Sequence, residues 1–292
     1  MNAMTVDVED YFQVSAFDGI VPRNRWEQMD SRVVANTERL LAIFGEAGVR
    51  GTFFVLGWIA DRFPALVRSI AGHGHEIASH GHSHRLVYDI TPAQFREDVR
   101  RSKAVLETAC GAAVEGYRAP SFSITRRSLW ALDILIEEGF RYDASIFPIH
   151  HDRYGIPGSP RHPYQLRRGT AAILEVPAST VQWGPLNFPV AGGGYFRLLP
   201  YGWTRWGIRR INTREQRPAI FYMHPWEIDP EQPRLAATLL SRFRHYRNLD
   251  QTEHRLRQLL SDFRFGTMRG LLAHLASDPP PVVSREPLPY PW

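Results

Sequence analysis

The hydrophobic and polar positions in the first half of the chain fall into blocks that predict strands and helices in turn. Residues 3–8 form a short, largely apolar run that ends in acids, and residues 51–56 form a continuous run rich in strand-forming residues, as expected of two buried strands. Between them, residues 31–47 place their apolar side chains at helical spacing, and Gly48 follows as a C-terminal cap. The alternation of strand and helix predicts a parallel sheet covered by helices.

This alternation continues to about residue 145. The clearest helix start is Thr91-Pro92-Ala93-Gln94, a capping box with proline at the first helical position, which opens a helix running to about residue 109. The other elements keep the same order: a helix over residues 59–71, a strand ending at 76–78, a strand at 116–120, a helix over 126–138 and a strand at 142–145.

The rhythm breaks after residue 148, where glycine and proline become frequent. In this region residues 172–176 predict a strand. The triple glycine at residues 192–194 predicts a flexible turn, and it lacks the Lys-Ser/Thr of a phosphate-binding loop. We interpret residues 148–217 as a long insertion that shapes a substrate groove.

The last part of the chain returns to regular elements. An amphipathic helix is predicted over residues 203–211, and it carries and precedes a cluster of arginines: Arg205, Arg209, Arg210, Arg214 and Arg217. Residues 218–224 predict a strand, and residues 251–263 and 268–275 predict helices. We expect one domain over residues 1–278, including a C-terminal helical part, and an extended or poorly ordered proline-rich tail over residues 279–292.

Composition narrows the chemistry. The chain is 43% hydrophobic and 12% aromatic, which excludes a disordered protein. Cys110 is the single cysteine, so any metal site must use histidines and carboxylates, a donor set that suits zinc or another borderline divalent ion. The net charge of +5 comes from arginine, with Lys103 the only lysine. Arginine-rich codon usage explains most of this positive charge. The functional alternative is that the arginines attract partners with anionic headgroups.

Several functional classes and locations are disfavoured. No nucleic-acid-binding motif is present, and no segment has the length and apolarity of a membrane span. The first strand begins within a few residues of Met1, leaving no room for a signal peptide. We therefore expect a cytoplasmic protein, with peripheral contact to the inner membrane face as a further expectation.

A histidine-rich stretch, GHGHEIASHGHSH at residues 72–84, contains five of the chain's twelve histidines. His80 and His84 are four residues apart, and on a helical turn this spacing would put both imidazoles on one face, close enough to bind one metal ion. A solvated histidine-rich loop is the alternative. The other histidines, His73, His75 and His82, are interpreted as non-ligands.

Polar residues also end three other predicted strands: the acids Asp7, Glu9 and Asp10, then Arg118, then His224. In a barrel, residues at the carboxyl ends of the strands point into one mouth. One carboxylate and two histidines make a three-ligand metal site with an open position for water, leaving a carboxylate as base and a histidine as acid. These are the components of metal-assisted hydrolysis of an amide or ester.

The acid that would join the two histidines is left open. Side chains alternate along a strand, so Asp7 and Glu9 share a face, which favours Glu9 as the ligand if the strand continues. If the strand ends at Val8, Asp10 would reach the metal instead.

Five motifs, in order, give the sequence its resemblance to a known family: Thr5-Val6-Asp7-Val8-Glu9-Asp10, His80-Gly81-His82-Ser83-His84, Arg118-Ala119-Pro120-Ser121-Phe122, Asp143-Ala144-Ser145 and Met223-His224. The chain resembles the NodB-type polysaccharide deacetylases (carbohydrate esterase family 4), and looks most like the subgroup encoded with exopolysaccharide and exosortase clusters. The resemblance implies an α/β fold, a distorted (β/α)7-type barrel with a long insertion and a C-terminal extension. The family's usual first motif has two adjacent aspartates, from which Asp7-Val8-Glu9-Asp10 departs.

The resemblance also implies roles for the motif residues. Asp7 is the base, Arg118 holds Asp7 ionised and in position, His224 is the acid and Asp143 orients His224. A backbone N–H near Ser121 or Phe122 stabilises the oxyanion. The resemblance implies one divalent metal ion, Zn2+ with Co2+ or Ni2+ as alternatives, held by His80, His84 and either Glu9 or Asp10.

The implied substrate is an N-acetylated sugar polymer or a lipid-linked sugar intermediate, with Trp183 and Trp226 as candidates to stack on sugar rings. The arginine-rich helix at residues 203–211 would then face the membrane surface. Three other functions are considered: an allantoinase-like amidase acting on a small cyclic amide, a non-catalytic carbohydrate-binding scaffold and a histidine-rich metal buffer. The sequence leaves the oligomeric state unknown.

Overall fold

A ten-stranded, mostly parallel sheet organises the chain, and the computed structural model describes residues 1–275 and 279–283. The strands are β1 (Asn2–Val8), β2 (Thr52–Val55), β3 (Glu76–Ser79), β4 (Gly116–Tyr117), β5 (Tyr142–Asp143), β6 (Tyr164–Arg168), β7 (Ala171–Glu175), β8 (Thr180–Trp183), β9 (Leu186–Pro189), β10 (Ile220–Met223), β11 (Phe265–Gly266) and β12 (Val282–Val283). The sheet runs β10-β1-β2-β3-β4-β5-β7-β6-β12, with β11 beside β1, and β8 and β9 form a separate hairpin.

Helices connect the strands and cover the outside of the sheet. They are α1 (Val33–Glu46), α2 (Gly57–Arg62), α3 (Pro64–Gly72), α4 (Pro92–Cys110), α5 (Trp130–Glu137), α6 (Gly193–Leu198), α7 (Tyr201–Thr213), α8 (Leu239–Tyr246), α9 (Leu249–Asp262) and α10 (Met268–Leu275). Within the described part of the chain, no helix is long and apolar enough to cross a membrane.

The sheet curls into a barrel whose inside and outside are set by strand periodicity. In β1, Met4 and Val6 belong to the large core shared with the helices, whereas Ala3 lies in a second, interior cluster with Ile220 of β10. Ser179, which follows β7, forms hydrogen bonds with Ile220 of the edge strand β10. These bonds bring the β7 side of the strand order and its β10 edge together. The expected distorted barrel is therefore the observed architecture.

The α10 helix closes the amino end of the barrel, and the carboxyl end carries the polar residues. Met268 and Leu271 of α10 pack into the interior cluster beside Ala3 and Ile220. Asp7 follows Ala3 and Thr5 on the inward face of β1, because side chains alternate along a strand. Its position near the end of β1 places it towards the opposite, carboxyl end, where barrels of this class carry their functional residues.

Two predicted elements differ from the structure for identifiable physical reasons. The helix predicted over residues 59–71 is two helices, α2 and α3, separated at Phe63 because Pro64 has no N–H to continue the helix and instead starts α3. The predicted glycine turn is the start of α6. A Cβ on Gly192 or Gly193 would lie 2.0 Å or 2.5 Å from atoms of Tyr222, so these glycines allow close packing.

The sequence pattern missed β6, the β8–β9 hairpin and α8, all of which lie where glycine and proline or arginine obscure the periodicity. Of the predicted tail, Val282–Val283 is extended and pairs with β6. Residues 276–278 and 284–292 lie outside the described residues. The division into one domain and a tail stays a prediction.

The capping box that starts α4 is present in full and supports a stability prediction. Thr91 Oγ1 accepts from Gln94 N, and Gln94 Oε1 accepts from Thr91 N. Thr91→Ala should lower the free energy of unfolding by about 1 kcal/mol in urea denaturation, because a helix-start N–H loses its acceptor. Thr108→Ala in the same helix is the control. Its hydroxyl bonds only to Ala104 O, so an equal loss there would contradict the capping explanation.

Candidate active site

Side chains from four strand ends converge at the carboxyl end of the barrel. They are Asp7 of β1, His80 beyond β3, Arg118 beyond β4 and His224 beyond β10. Asp7, His80 and Arg118 are buried, and His224 retains partial exposure. Because parallel strands end at the same edge, residues far apart in sequence form one polar cluster within an apolar barrel.

Glu9, His80 and His84 form a group that fits a metal ion. Their candidate ligand atoms all lie within 4.8 Å of one another, and all three residues are buried. Glu9 Oε2 lies 2.6 Å from His84 Nε2, yet it has no aligned hydrogen-bond partner among the described residues. A buried carboxylate oxygen that faces two imidazoles without an aligned hydrogen bond belongs to the donor set expected of a three-ligand zinc-type site.

The orientation of His80 also suits a ligand. Its Nδ1 lies 2.8 Å from the carbonyl oxygen of Arg118. Because a carbonyl can only accept, Nδ1 carries the proton and Nε2 presents its lone pair. Burial lowers the pKa of His80 to about 4, which keeps the ring neutral and able to donate that lone pair.

The histidine pair does not lie on a helical turn, so the predicted helical geometry is wrong. Residues 80–84 form a loop after β3, with positive φ angles of 74° at Gly81 and 49° at His84. The carboxylate of Asp98 accepts from the backbone N–H groups of His82 and Ser83 at 2.7 Å and 3.1 Å. A tight, anchored loop therefore brings the two rings together, at 5.4 Å between centroids.

The carboxylate of Asp10 accepts hydrogen bonds outside the metal-binding group. It accepts from Ser31 Oγ at 2.6 Å and from the backbone N–H of Arg32 at 3.0 Å, at the start of α1. β1 does end at Val8, but Glu9 N donates to Asp7 O at 3.1 Å, and this tight turn keeps Glu9 in the site. The expectation that Asp10 would replace Glu9 if the strand ended there is therefore wrong.

The pKa values of Glu9 and Asp10 differ in the same sense. Burial opposes ionisation of Glu9, but the charges of His84 and His224 prevail and lower its pKa to about 2. Burial raises the pKa of Asp10 to about 6, against the hydrogen bonds from Ser31 and the backbone. Glu9 is thus the acid held as a carboxylate by neighbouring imidazoles.

Asp7 is paired with a fully buried arginine. Arg118 NH1 donates to Asp7 Oδ1 at 2.6 Å and to Thr5 Oγ1 at 2.9 Å. The guanidinium carbon also lies 4.1 Å from the centre of the Phe54 ring. The buried charge of Arg118 is compensated by this pair, and Asp7 is fixed with its second oxygen, Oδ2, on the side of His224.

His224 lies between the acids and a partner that the sequence reasoning missed. Its Nε2 is 3.9 Å from Asp7 Oδ2 and 3.6 Å from Glu9 Oε1, and its Nδ1 is 2.6 Å from Glu227 Oε1. Burial by itself would lower the pKa of His224, but Glu9 and Glu227 raise it to about 9. The signal was the spacing His-Pro-Trp-Glu, because the 3-10 turn Pro225–Ile228 folds the carboxylate back onto the ring.

Asp143 does not orient His224, which corrects the role expected for it. Its carboxylate accepts from Ser145 Oγ and lies beside Glu175, whose Oε1 accepts from Ile146 N at 2.9 Å. Burial raises the pKa of both acids, and the neighbouring charge of Asp143 raises the pKa of Glu175 further. Glu227, not Asp143, pairs with the catalytic candidate His224.

The residues expected to contact substrate have separate positions. Ser121 and Phe122 both adopt positive φ, 51° and 52°, and Phe122 N donates to Ala119 O, which leaves Ser121 N as the candidate donor of the two. Trp226 is only 3% exposed, and its ring is sandwiched between His224 and His245. It therefore has no free face for a sugar and instead supports His224. Trp183 is 70% exposed on the β8–β9 hairpin.

Comparisons with known proteins agree with this architecture. Residues 26–136 match the polysaccharide deacetylase family model, and residues 144–273 match a domain of unknown function (DUF3473). A peptidoglycan-N-acetylglucosamine deacetylase of Bacillus cereus is 31% identical over 98 residues, which are 33% of this chain and 36% of that protein. The chain spans little more than a third of the length of the first curated relatives it matches.

Two solved structures share the fold over nearly the whole chain. A candidate polysaccharide deacetylase from Mycobacterium smegmatis has a TM-score of 0.64 and 22% identity, covering 98% of this chain and 94% of that one. The Puue allantoinase has a TM-score of 0.63 and 14% identity, covering 95% of this chain and 90% of that one. At these identities the likeness concerns the barrel and does not extend to activity.

Proposed function

We propose, from the match of residues 26–136 to the polysaccharide deacetylase family model and from the geometry of the site, that the chain is a metal-dependent hydrolase that removes N-acetyl groups from amino sugars. The observation that carries the proposal is the convergence of Glu9, His80 and His84 with the Asp7–Arg118 pair and with His224. This group contains a three-ligand metal site, a base and an acid within one barrel mouth.

The metal would be held by Glu9, His80 and His84. When bound, it would polarise a water and the acetamide carbonyl as a Lewis acid. The histidine and carboxylate donors favour Zn2+, with Co2+ or Ni2+ as alternatives.

The chain's own groups supply the proton transfers. Asp7 accepts the proton of the attacking water through Oδ2, while Arg118 fixes its other oxygen. His224 donates a proton from Nε2 to the departing nitrogen, which is a poor leaving group as the free amide anion. The N–H of Ser121 is the remaining backbone donor for the developing oxyanion. The amide C–N bond breaks, and acetate and the free amine are formed.

The substrate is proposed to be an N-acetylglucosamine-containing polymer or a lipid-linked precursor of an exopolysaccharide, acted on from the cytoplasmic side of the membrane. The Bacillus cereus relative supports the sugar by its name, and the exopolysaccharide subgroup rests on the motif VDVEDYFQV. Exposed Trp183 on the β8–β9 hairpin is the candidate for stacking on a sugar ring.

Acetate release from N-acetylglucosamine oligomers and from an N-acetylglucosaminyl lipid tests the function, with allantoin as the competing substrate. We expect acetate from one of the sugars and no ring opening of allantoin. If the protein binds one metal ion but releases acetate from no sugar, the result would contradict the proposed deacetylase function. Turnover of allantoin alone would favour the cyclic amidase, and binding of several ions would favour a metal buffer.

Glu227 gives a pH prediction. Its carboxylate raises the pKa of His224, so Glu227→Gln should lower that pKa. Because a general acid must be protonated to act, the alkaline limb of the kcat profile should move to lower pH and kcat should fall by about tenfold or more. The measurement is acetate release across pH. Glu231→Gln, which removes an exposed acid just beyond the same turn, should leave the limb unchanged. An unmoved limb in Glu227→Gln would contradict the assigned pair.

A further inference from the structure

The α8 helix presents an apolar surface that nothing in the described protein covers. Leu239 is 82% exposed, Leu240 59% and Phe243 53%, and these residues lie within little more than one turn. Single exposed apolar residues are ordinary on protein surfaces. Three large ones grouped on an eight-residue helix are not, and such a patch indicates an interaction surface.

Arginines surround this apolar surface. The segment 232–249 contains Arg234, Arg242, Arg244 and Arg247 and has no aspartate or glutamate. All four side chains are exposed, and none forms an ion pair with a carboxylate of residues 1–275 or 279–283. The surface therefore combines apolar groups with uncompensated positive charge, which complements an anionic lipid surface.

α8 is held firmly at its C-terminal end. Arg197, itself buried, donates from NH1 to the carbonyl oxygens of Arg244 at 3.0 Å, His245 at 2.7 Å and Arg247 at 3.3 Å. A cation on these unpaired carbonyls is favourable at a helix C-terminus. His245 Nε2 also bonds Gln232 Oε1 at 2.7 Å. The exposed face is thus presented by an anchored element.

The helix lies at the rim of the candidate active site. His245 stacks on Trp226 with 4.2 Å between ring centroids, and Trp226 stacks on His224 at 5.1 Å. Phe17, in the segment after β1, also packs on His245 at 4.7 Å. Since the segments that follow β1 and β10 lie at the carboxyl end of the barrel, α8 belongs to the mouth.

We propose that α8 docks the protein onto anionic phospholipid. Leu239, Leu240 and Phe243 enter the headgroup region, and the surrounding arginines contact phosphates. Docking in this way holds the mouth beside the membrane surface, where a lipid-linked sugar would present its N-acetyl group. This last consequence rests on the proposed deacetylase function, whereas the docking itself does not.

Charge argues for lipid over a second copy of the chain. A two-fold contact through α8 would place arginines opposite arginines, with no acid in the segment to neutralise them.

The arginine-rich α7 is a weaker membrane surface than expected from the sequence. Arg205 Nε lies 3.1 Å from Asp262, and Arg210 Nε lies 3.9 Å from Glu215, so part of its charge is already paired.

Vesicle flotation of the full chain tests the proposal. The vesicles are phosphatidylcholine alone or phosphatidylcholine mixed with phosphatidylglycerol. We expect binding to the mixed vesicles, weakened by salt. Leu239→Ser/Leu240→Ser/Phe243→Ser and, separately, Arg242→Gln/Arg244→Gln/Arg247→Gln should each lower the partition coefficient by about tenfold or more. Both variants should keep acetate release from dissolved oligomers, which separates docking from catalysis.

Arg205→Gln/Arg209→Gln/Arg210→Gln on α7 is the matched control and should still bind. The proposal is overturned if this control loses binding while the α8 variants retain it, or if neutral vesicles bind equally well. It is also overturned if the wild type binds no anionic vesicle, whether the protein stays monomeric or forms a dimer that the α8 substitutions dissociate. These outcomes are read without any enzyme assay, so they stand even if no sugar proves to be a substrate.

Discussion

Replacing Asp7 by asparagine should lower kcat for acetate release by about 10²–10⁴-fold while the metal stays bound. The asparagine keeps an oxygen for Arg118 but cannot take a proton from water. The loss should therefore appear in kcat, with little change in metal content. Steady-state acetate release and metal analysis on the same protein preparation measure both quantities.

Stability is the main confounding effect of this substitution. Arg118 is fully buried and Asp7 compensates its charge, and breaking a buried pair can cost about 3–5 kcal/mol. Thr5→Val is the matched control, because it removes a second hydrogen bond to Arg118 NH1 without touching the base. It should lower the melting temperature but keep kcat within a few-fold of the wild type. A folded, metal-loaded Asp7→Asn protein with near-normal kcat would refute the assignment of the base.

Glu9→Gln should remove the metal and with it nearly all activity, whereas Asp10→Asn should keep the metal. The difference follows from geometry, since Glu9 Oε2 faces His84 and the Asp10 carboxylate is bonded to Ser31 and the start of α1. Mass-spectrometric metal analysis after dialysis should give one ion per chain in the wild type and in Asp10→Asn. His80→Ala should behave like Glu9→Gln.

Thermal unfolding gives a second readout that needs no substrate. An ion present at about 100 times its Kd stabilises the folded state by about 2.7 kcal/mol. A chelator should therefore lower the Tm of the wild type and of Asp10→Asn, but not that of Glu9→Gln. Metal retained in Glu9→Gln and lost in Asp10→Asn would reverse the choice between the two acids.

The candidate site is shared between the two regions that the comparisons distinguish. His80, His84 and Arg118 lie in residues 26–136, which match the deacetylase model, whereas His224 and Glu227 lie in residues 144–273, which match the domain of unknown function. Arg197 and α8 belong to the same second region. We infer that this region supplies the proton donor, its partner and the proposed docking surface.

The sequence alone determined the order of the main helices and strands and four residues of the candidate site. Short runs rich in apolar and β-branched residues are recognisable as buried strands, and the carboxyl ends of parallel strands meet whatever their separation in sequence. The sequence therefore predicts that Asp7, His80, Arg118 and His224 lie together. The motif resemblance then assigned each of them a chemical role.

Tertiary structure decided what depends on the direction of single side chains. The turn after Val8 keeps Glu9 in the site while α1 takes the carboxylate of Asp10, and strand alternation cannot predict a turn that lies beyond the strand. The partner of His224 is Glu227 because a short 3-10 turn reverses the chain, whereas Asp143 lies beside Glu175, its register partner on the adjacent strand β7. Periodicity fixes which face a residue occupies, but only packing against distant elements fixes which partner its side chain meets.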